Sequence, residues 1–351
     1  MRAIILLGGQ GTRLRPVTCN TPKPMLPILN RPALTYQLEL LRKHRIKQVV
    51  FCLNYLHRNF RDYFSKRRNF GLKIDYVKEK FPLGTGGALK NAERFFTGTT
   101  IIFNGDILTD IDLQKVIKFH KTKKAVLTIV LTRVKDPTIY GLVETDNSGR
   151  ILKFLEKPSW DEVTCNTINA GIYIFEPELL KYIPSGVNYS VERGLFPVLL
   201  EKKKSVYGFI SRCYWLDIGT VEKYLQAHFD ILNGELKVSI QGRKIKKTVW
   251  AERNVKLGKH ITFDGKILIG QNSKLEEFVQ VTGTVSIGRN CYVKKGAIIS
   301  NSVILDNTVI GEGARIEGSL VGKNCFIEPH AVLNNGSAVG DGSRITRFSK
   351  F

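Results

Sequence analysis

Short apolar runs alternate with helical spacings through the first two thirds of the chain. Residues 3–7 form an apolar run closed by Gly8-Gly9, the pattern of a buried strand. Leu34, Leu38, Leu40 and Leu41 predict a helix over residues 32–45, and residues 49–53 predict a second strand. A helical spacing follows over residues 56–64. A strand over 99–103 ends in Asn104-Gly105-Asp106, and a helix over 113–120 leads to a strand over 125–131. Alternation of this kind implies βαβ units and a mixed, mostly parallel sheet, a Rossmann-like α/β fold. Residues 140–175 hold several β runs with no long helix between them, which predicts an inserted or edge-forming antiparallel portion. Helical spacing resumes over 191–202 and 221–232.

From about residue 260 the pattern changes. Val281, Ile287, Val293 and Ile299 recur every six residues; after a one-residue slip come Ile304, Ile310 and Ile316, and after another Val321, Ile327, Leu333, Val339 and Ile345. No helix stripe has that period. A coil of short parallel strands does, with each aliphatic residue pointing into a prism and glycine or small polar residues at the corners. The region resembles the hexapeptide-repeat left-handed β-helix. The sequence therefore divides into an α/β domain over 1–235, a Lys-rich junction over 236–258 with a short strand near Val249-Trp250, and a β-helix over 259–351 with a basic tail over 344–351.

Composition changes this picture little. Hydrophobic residues at 43% and charged residues at 24% describe a core-forming chain. No apolar run is long enough to span a bilayer, and the N-terminal run reads as a strand, not a signal peptide. The six cysteines at 19, 52, 165, 213, 291 and 325 include no CxxC pair, which points to a reducing, cytoplasmic setting. The net charge of +23 is spread in short clusters without an aromatic-interleaved RNA motif or a zinc finger. It reads as a solvated basic surface plus phosphate sites, not a nucleic-acid interface.

The candidate chemistry begins at Gly8-Gly9-Gln10-Gly11-Thr12-Arg13-Leu14-Arg15-Pro16. Glycines after a buried strand let the backbone approach a ligand, and successive N–H groups can cradle phosphate. Arg13 and Arg15 add guanidinium donors, and Pro22 and Pro24 restrain the backbone around Lys23. The spacing is neither G-x-G-x-x-G nor Walker A.

The full string, G-G-x-G-T-R-L-R-P-x-T-x-x-x-P-K-P-M-x-P, resembles the signature of the sugar-phosphate nucleotidyltransferases, or nucleotide-sugar pyrophosphorylases. Further segments match in family order: Glu79 to Leu89, Asn104-Gly105-Asp106, Tyr140-Gly141-Leu142-Val143, Glu156-Lys157-Pro158, Asn169-Ala170-Gly171-Ile172-Tyr173 and Trp215-Leu216-Asp217-Ile218-Gly219-Thr220. With the repeat domain, the likeness is to the longer members, notably the GDP-mannose pyrophosphorylases.

The resemblance implies transfer of a nucleoside monophosphate from an NTP to a sugar 1-phosphate, with release of pyrophosphate. It implies nucleotide binding by Leu7, Gly8, Gly9, Gly11, Thr12, Arg13, Glu79, Gly84 and Thr85, and sugar-phosphate binding by Gly141, Glu156, Lys157, Asn169 and Gly171. Arg13, Lys23, Asp106 and Asp217 are the implied catalytic residues, and Asp106 and Asp217 the implied Mg²⁺ ligands. The sugar phosphate is already nucleophilic, so the work falls to positioning and charge neutralisation. A carboxylate at Glu79 can accept from both N1–H and N2–H₂ of guanine, which favours GTP, with mannose 1-phosphate as its partner. Taken singly, Asp106 also reads as a turn residue, Asp217 as a helix cap, and Glu79 as a solvent-facing side chain.

Alternatives from the sequence are a glucose-1-phosphate thymidylyl- or uridylyltransferase, a bifunctional acyltransferase using His330, and a non-catalytic regulatory subunit. Gly86-Gly87, where GDP-mannose enzymes often carry Ala-Gly, puts the sugar in question. The β-helix implies a homo-oligomer.

Overall fold

The computed structural model describes residues 1–54, 57–65 and 69–351; position 56, where the sequence predicts the second helix to begin, lies outside them. The chain forms two compact units, Met1–Gly9 with Leu34–Trp215, and Gln10–Ala33 with Leu216–Phe351.

The first unit is built on a nine-stranded sheet. Its strands are β1 (Arg2–Leu6), β2 (Gln48–Leu53), β3 (Lys73–Lys78), β4 (Thr100–Asn104), β5 (Leu127–Arg133), β6 (Gly141–Thr145), β7 (Ile151–Glu156), β8 (Thr167–Phe175) and β9 (Val206–Ile210). β1 lies between β2 and β4, parallel to both, and β3 extends the parallel edge. These central strands are buried on both faces, which is why β1, β2 and β4 read as continuous apolar runs. β8 runs antiparallel to β4, β5 and β6, and β6 and β7 form the expected antiparallel pair. The helices are α1 (Leu34–Lys43), α2 (His57–Ser65), α3 (Gly84–Asn91), α4 (Leu113–Thr122) and α5 (Phe196–Glu201). β3, α3 and β9 are elements the sequence pattern did not mark.

The second unit joins three pieces. A hairpin pairs Pro27 with Pro32 and Ile28 with Arg31, and turns through Leu29 and Asn30, both at positive φ. Helix α6 (Val221–Asn233) starts at the Thr220 cap and ends at Gly234 in the left-handed region. The rest is a parallel β-helix. Lys256 pairs with Lys274 and Lys274 with Tyr292, coils of eighteen residues; Tyr292 pairs with Val309 and Val309 with Phe326, coils of seventeen. The two shortened coils are the two one-residue slips in the sequence. At those coils the long strands seen at Thr262–Ile269 and Gln280–Ile287 break in two, with Asn301 and Gly318 at positive φ at the break.

Three differences from the sequence reading follow. The stack starts at Val249–Ala251, inside the predicted junction, because the six-residue spacing continues upstream through Leu275, Ile269, Phe263 and Leu257. The basic tail is the last coil: Val332 bridges Lys350, and Arg344 pairs with Glu328. The segment 10–33 packs in the unit that holds the β-helix, whereas the sequence division placed it with the α/β domain. Stacked asparagines at 254, 272, 290, 307 and 324, all at positive φ, pass a side-chain hydrogen bond from coil to coil along one corner. His330 sits on another corner, stacked on Phe348 with ring centroids 5.3 Å apart. Packing accounts for that histidine.

Candidate functional site

In the first unit the predicted residues gather where β1, β2 and β4 end, the edge at which α/β sheets bind ligands. The Leu7 N–H donates to Cys52 and the Gly105 N–H to Leu6, which pins the ends of the three strands together. The chain leaves β1 at Gly8-Gly9. A Cβ at Gly8 would lie 3.4 Å from Oε1 of Glu79, while one at Gly9 would meet nothing within 4 Å. The Glu79 carboxylate thus lies beside Gly8 at ordinary contact distance, and Gly9 faces open space.

Glu79 is not solvent-facing: it is 5% exposed. Its Oε2 accepts from the Leu83 N–H at 3.1 Å and from Asn54 at 3.4 Å. Burial raises its pKa above the usual carboxylate value, and these two hydrogen bonds offset part of that. Gly84 opens α3 at positive φ, and a Cβ there would sit 2.8 Å from the Tyr189 carbonyl oxygen. The same carbonyl accepts from the N–H groups of Gly86 and Gly87. The Gly86 and Gly87 amides in the first turn of α3 are therefore satisfied by the chain itself. The Thr85 hydroxyl donates to Glu192 at 2.8 Å and accepts from the Val191 N–H at 2.8 Å.

The sugar-side residues stand on β6, β7 and β8. Gly141 pairs with Glu156, and a Cβ at 141 would come within 2.7 Å of the Phe154 ring and 3.0 Å of Glu156 Oε2. Packing inside the sheet is enough to require that glycine. Lys157 sits at positive φ with its N–H on the Tyr140 carbonyl. Burial, and then the charge of Glu192, raise the Glu156 pKa, against the opposing Lys157 and Arg193. Asn169 donates to the Tyr173 hydroxyl at 2.9 Å and accepts from the Gly171 N–H. Gly171, at positive φ, admits the Asn104 side chain: a Cβ there would be 2.7 Å from its Nδ2. Asn104 Oδ1 is buried and lacks a hydrogen-bond partner among the described residues, which leaves an acceptor beside Gly105-Asp106. Asp106 itself is half-buried in the turn after β4. Trp215 donates to the Ala170 carbonyl and packs edge-on against Tyr140, tying three of the quoted motifs together.

In the second unit Gly11, at positive φ, opens a single turn over Thr12–Leu14, and Thr18 donates to its carbonyl. A Cβ at Gly11 would be 3.1 Å from Cβ of Lys23, so the glycine allows Lys23 to pack beneath the turn. Thr12 and Arg13 are exposed; Lys23 is 9% exposed. A Cβ at Gly219 would lie 2.7 Å from Oδ2 of Asp217 and 3.4 Å from Nη2 of Arg13, so carboxylate and guanidinium converge over that glycine. The other oxygen, Oδ1, accepts from Lys223 at 2.5 Å. Asp217 is not the helix cap; Thr220 is. Among the described residues no three His, Cys, Asp or Glu side chains form a metal-binding group.

Sequence reasoning missed Asn54, Ser190, Glu192 and Lys223, and gave Tyr173 no role. Only the Ser-x-Glu spacing at Ser190-Val191-Glu192, where Ser190 caps a turn, carried a local signal.

The chain belongs to the nucleotidyl transferase family, whose model matches residues 2–234. Residues 246–350 match the model of the EIF2B subunit epsilon LbH domain, so the coil is a left-handed β-helix. Over 97% of this chain and 92% of the relative, it is 37% identical to a UTP–glucose-1-phosphate uridylyltransferase of Synechocystis sp.. Over 91% of this chain and 82% of the relative, it is 36% identical to the mannose-1-phosphate guanylyltransferase of Mycobacterium tuberculosis. The crystal structure of HddC from Yersinia pseudotuberculosis complexed with GMP-PN matches with a TM-score of 0.57 and 30% identity, over 66% of this chain and 99% of that one. No helix among the described residues is long and apolar enough to cross a membrane.

Proposed function

We propose that this protein is a sugar-1-phosphate guanylyltransferase that joins GTP to mannose 1-phosphate and releases pyrophosphate, as a homo-oligomer in the cytoplasm. The observation that carries the reading is the buried Glu79 carboxylate beside the Gly8 backbone, on the same sheet edge as Asn104-Gly105-Asp106. A carboxylate held there is an acceptor for paired N–H donors, which guanine presents and uracil and thymine do not.

A sugar-phosphate oxygen attacks the α-phosphorus of the NTP. The new P–O bond forms as the bond to the bridging oxygen of the β-phosphate breaks, and pyrophosphate leaves with the electron pair. Arg13 and Lys23 supply positive charge where phosphate charge builds. Lys157 takes the sugar phosphate, and Glu156 and Asn169 orient the sugar hydroxyls. Bound Mg²⁺ supplies charge neutralisation through hard oxygen ligands, and the resemblance assigns it to Asp106 and Asp217. In this reading Lys223 holds one Asp217 oxygen fixed.

The second reading is uridylyl transfer to glucose 1-phosphate, favoured by the likeness to the Synechocystis enzyme. Pyrophosphate release across a grid of nucleoside triphosphates and sugar 1-phosphates separates the two. Turnover confined to GTP with mannose 1-phosphate, abolished in Asp106→Ala, is the expected result. Turnover confined to UTP with glucose 1-phosphate overturns the base assignment. A blank grid from folded protein favours the regulatory-subunit reading. Glu79→Gln is expected to cut kcat/KM for GTP about tenfold or more, the cost of losing a charged acceptor; an unchanged preference removes Glu79 as the base reader.

A further inference from the structure

The segments assigned to nucleotide and to sugar phosphate are joined inside the first unit by one side chain that belongs to neither motif. Glu192 lies in a single π-helical turn over Val191–Leu195, a rare backbone form that tends to occur at functional positions. Its Oε2 accepts from the Thr85 hydroxyl at 2.8 Å and from the Ser190 hydroxyl at 2.8 Å. Its Oε1 accepts from the Tyr173 hydroxyl at 3.3 Å, and that hydroxyl in turn accepts from Asn169 at 2.9 Å. Asn169 fixes the Gly171 N–H. An unbroken chain of hydrogen bonds thus runs from the start of α3 to Gly171 on β8. Tyr173 is almost fully buried, so neither water nor another conformation readily replaces its hydroxyl contacts. The charge of Glu192 also reaches Glu156.

Tyr189 reinforces the connection. Its carbonyl takes two α3 amides, and its ring fills the space left by two glycines: a Cβ at Gly86 would be 2.8 Å from Cδ1, and one at Gly194 would be 2.5 Å from Cζ. This gives Gly86 a reason to be glycine that has no bearing on sugar choice.

We infer that Glu192 is a positioning residue that couples the nucleotide segment at Gly84-Thr85 to the sugar pocket at Asn169 and Glu156, so that order in one is transmitted to the other. The inference rests on the nucleotidyltransferase reading above. A carboxylate suits the place because it accepts on both oxygens at once, whereas a glutamine must present a donor to one of the two hydroxyl sides.

The test uses the full chain and initial rates over a matrix of both substrates. Wild-type turnover is scored first; its absence overturns the enzymatic reading and the coupling with it. With turnover in hand, Glu192→Gln is expected to lower kcat about tenfold or more and to raise KM for both substrates. The Thr85 and Tyr173 hydroxyls donate to opposite oxygens of Glu192, so Thr85→Val and Tyr173→Phe keep the test available should Glu192→Gln not fold. Each single variant is expected to raise KM for both substrates, and the double variant to cost no more than the worse single one. A merely structural role predicts lowered thermal stability with kcat and both KM values intact. That result, or Thr85→Val affecting the NTP alone while Tyr173→Phe affects the sugar phosphate alone with additive costs, overturns the coupling.

Discussion

His228 shows what burial does to a single side chain. It lies on the inner face of α6, 1% exposed, and its Nδ1 accepts from the Leu29 N–H of the hairpin at 3.4 Å. Burial pulls its pKa down to about 3, with only partial opposition from the Pro27 backbone. The unfolded chain binds a proton there below about pH 6.5, and the folded chain does not. This histidine's contribution to stability is therefore complete above the unfolded value and shrinks as pH falls toward 3. Moving from about pH 7 to about pH 5 should cost about 2 kcal/mol from this group. Urea unfolding of wild type and His228→Gln at both pH values checks this; the acid-induced loss should be smaller in the variant by about that amount, and equal losses would count against it. The position also shows where single-residue reading ends. Arg13, Lys23 and Asp217 could be singled out because they sit in motifs. Glu192 and Lys223 could not, and Tyr173 was quoted in a motif without a role, because what defines them is a partner contributed by another element, such as Thr85 for Glu192.

At the scale of elements, α3 is the instructive case. Its sequence, Gly84-Thr-Gly-Gly-Ala-Leu-Lys-Asn91, opens with three glycines in four positions, a poor helix start by propensity. It is a helix because the Tyr189 carbonyl accepts the Gly86 and Gly87 amides and the chain at 187–189 lies against them. Tertiary contact overrides propensity here, so the pattern of apolar residues could not reveal it. The buried strands and the six-residue coil were legible because burial there imposes a period. Gly86→Ala separates the two influences. Propensity alone predicts a gain of about 1 kcal/mol. The contact with Tyr189 predicts a net loss of about 1–3 kcal/mol from overpacking. We expect the loss, read as a lower melting temperature, together with reduced activity because the start of α3 must shift. A stabilised variant would show that Tyr189 gives way.

At the scale of the whole molecule, the signature loop and the β-helix belong to one packed unit. Tyr224 of α6 donates to the Pro27 carbonyl, Asn30 donates to the Ile287 carbonyl of the coil at 3.4 Å, and Lys323 donates to the Thr21 hydroxyl at 3.2 Å. Gly340, at a coil corner, lies against the residue that follows Arg15: a Cβ there would be 2.9 Å from Cβ of Pro16. The α6 helix rests on the coil as well, and Lys266 donates to the Asn233 carbonyl at its end. A domain expected from sequence to serve assembly is thus also the support for the segment that carries Arg13 and Lys23. Gly340→Ala tests this, since the φ of Gly340 is not in the left-handed region and alanine strains only the Pro16 contact. If the coil sets the loop, the variant keeps its β-helix, as judged by circular dichroism and melting, and loses activity about tenfold, the scale of a small misplacement of charged groups at a reacting phosphate. Lys323→Ala should act in the same direction through Thr21. Lys295→Ala, which removes an exposed pair with Glu277 and a cation contact over the Phe278 ring elsewhere on the β-helix, should leave the rate unchanged. Equal rates in all three would mean that the loop holds its form without the coil beneath it.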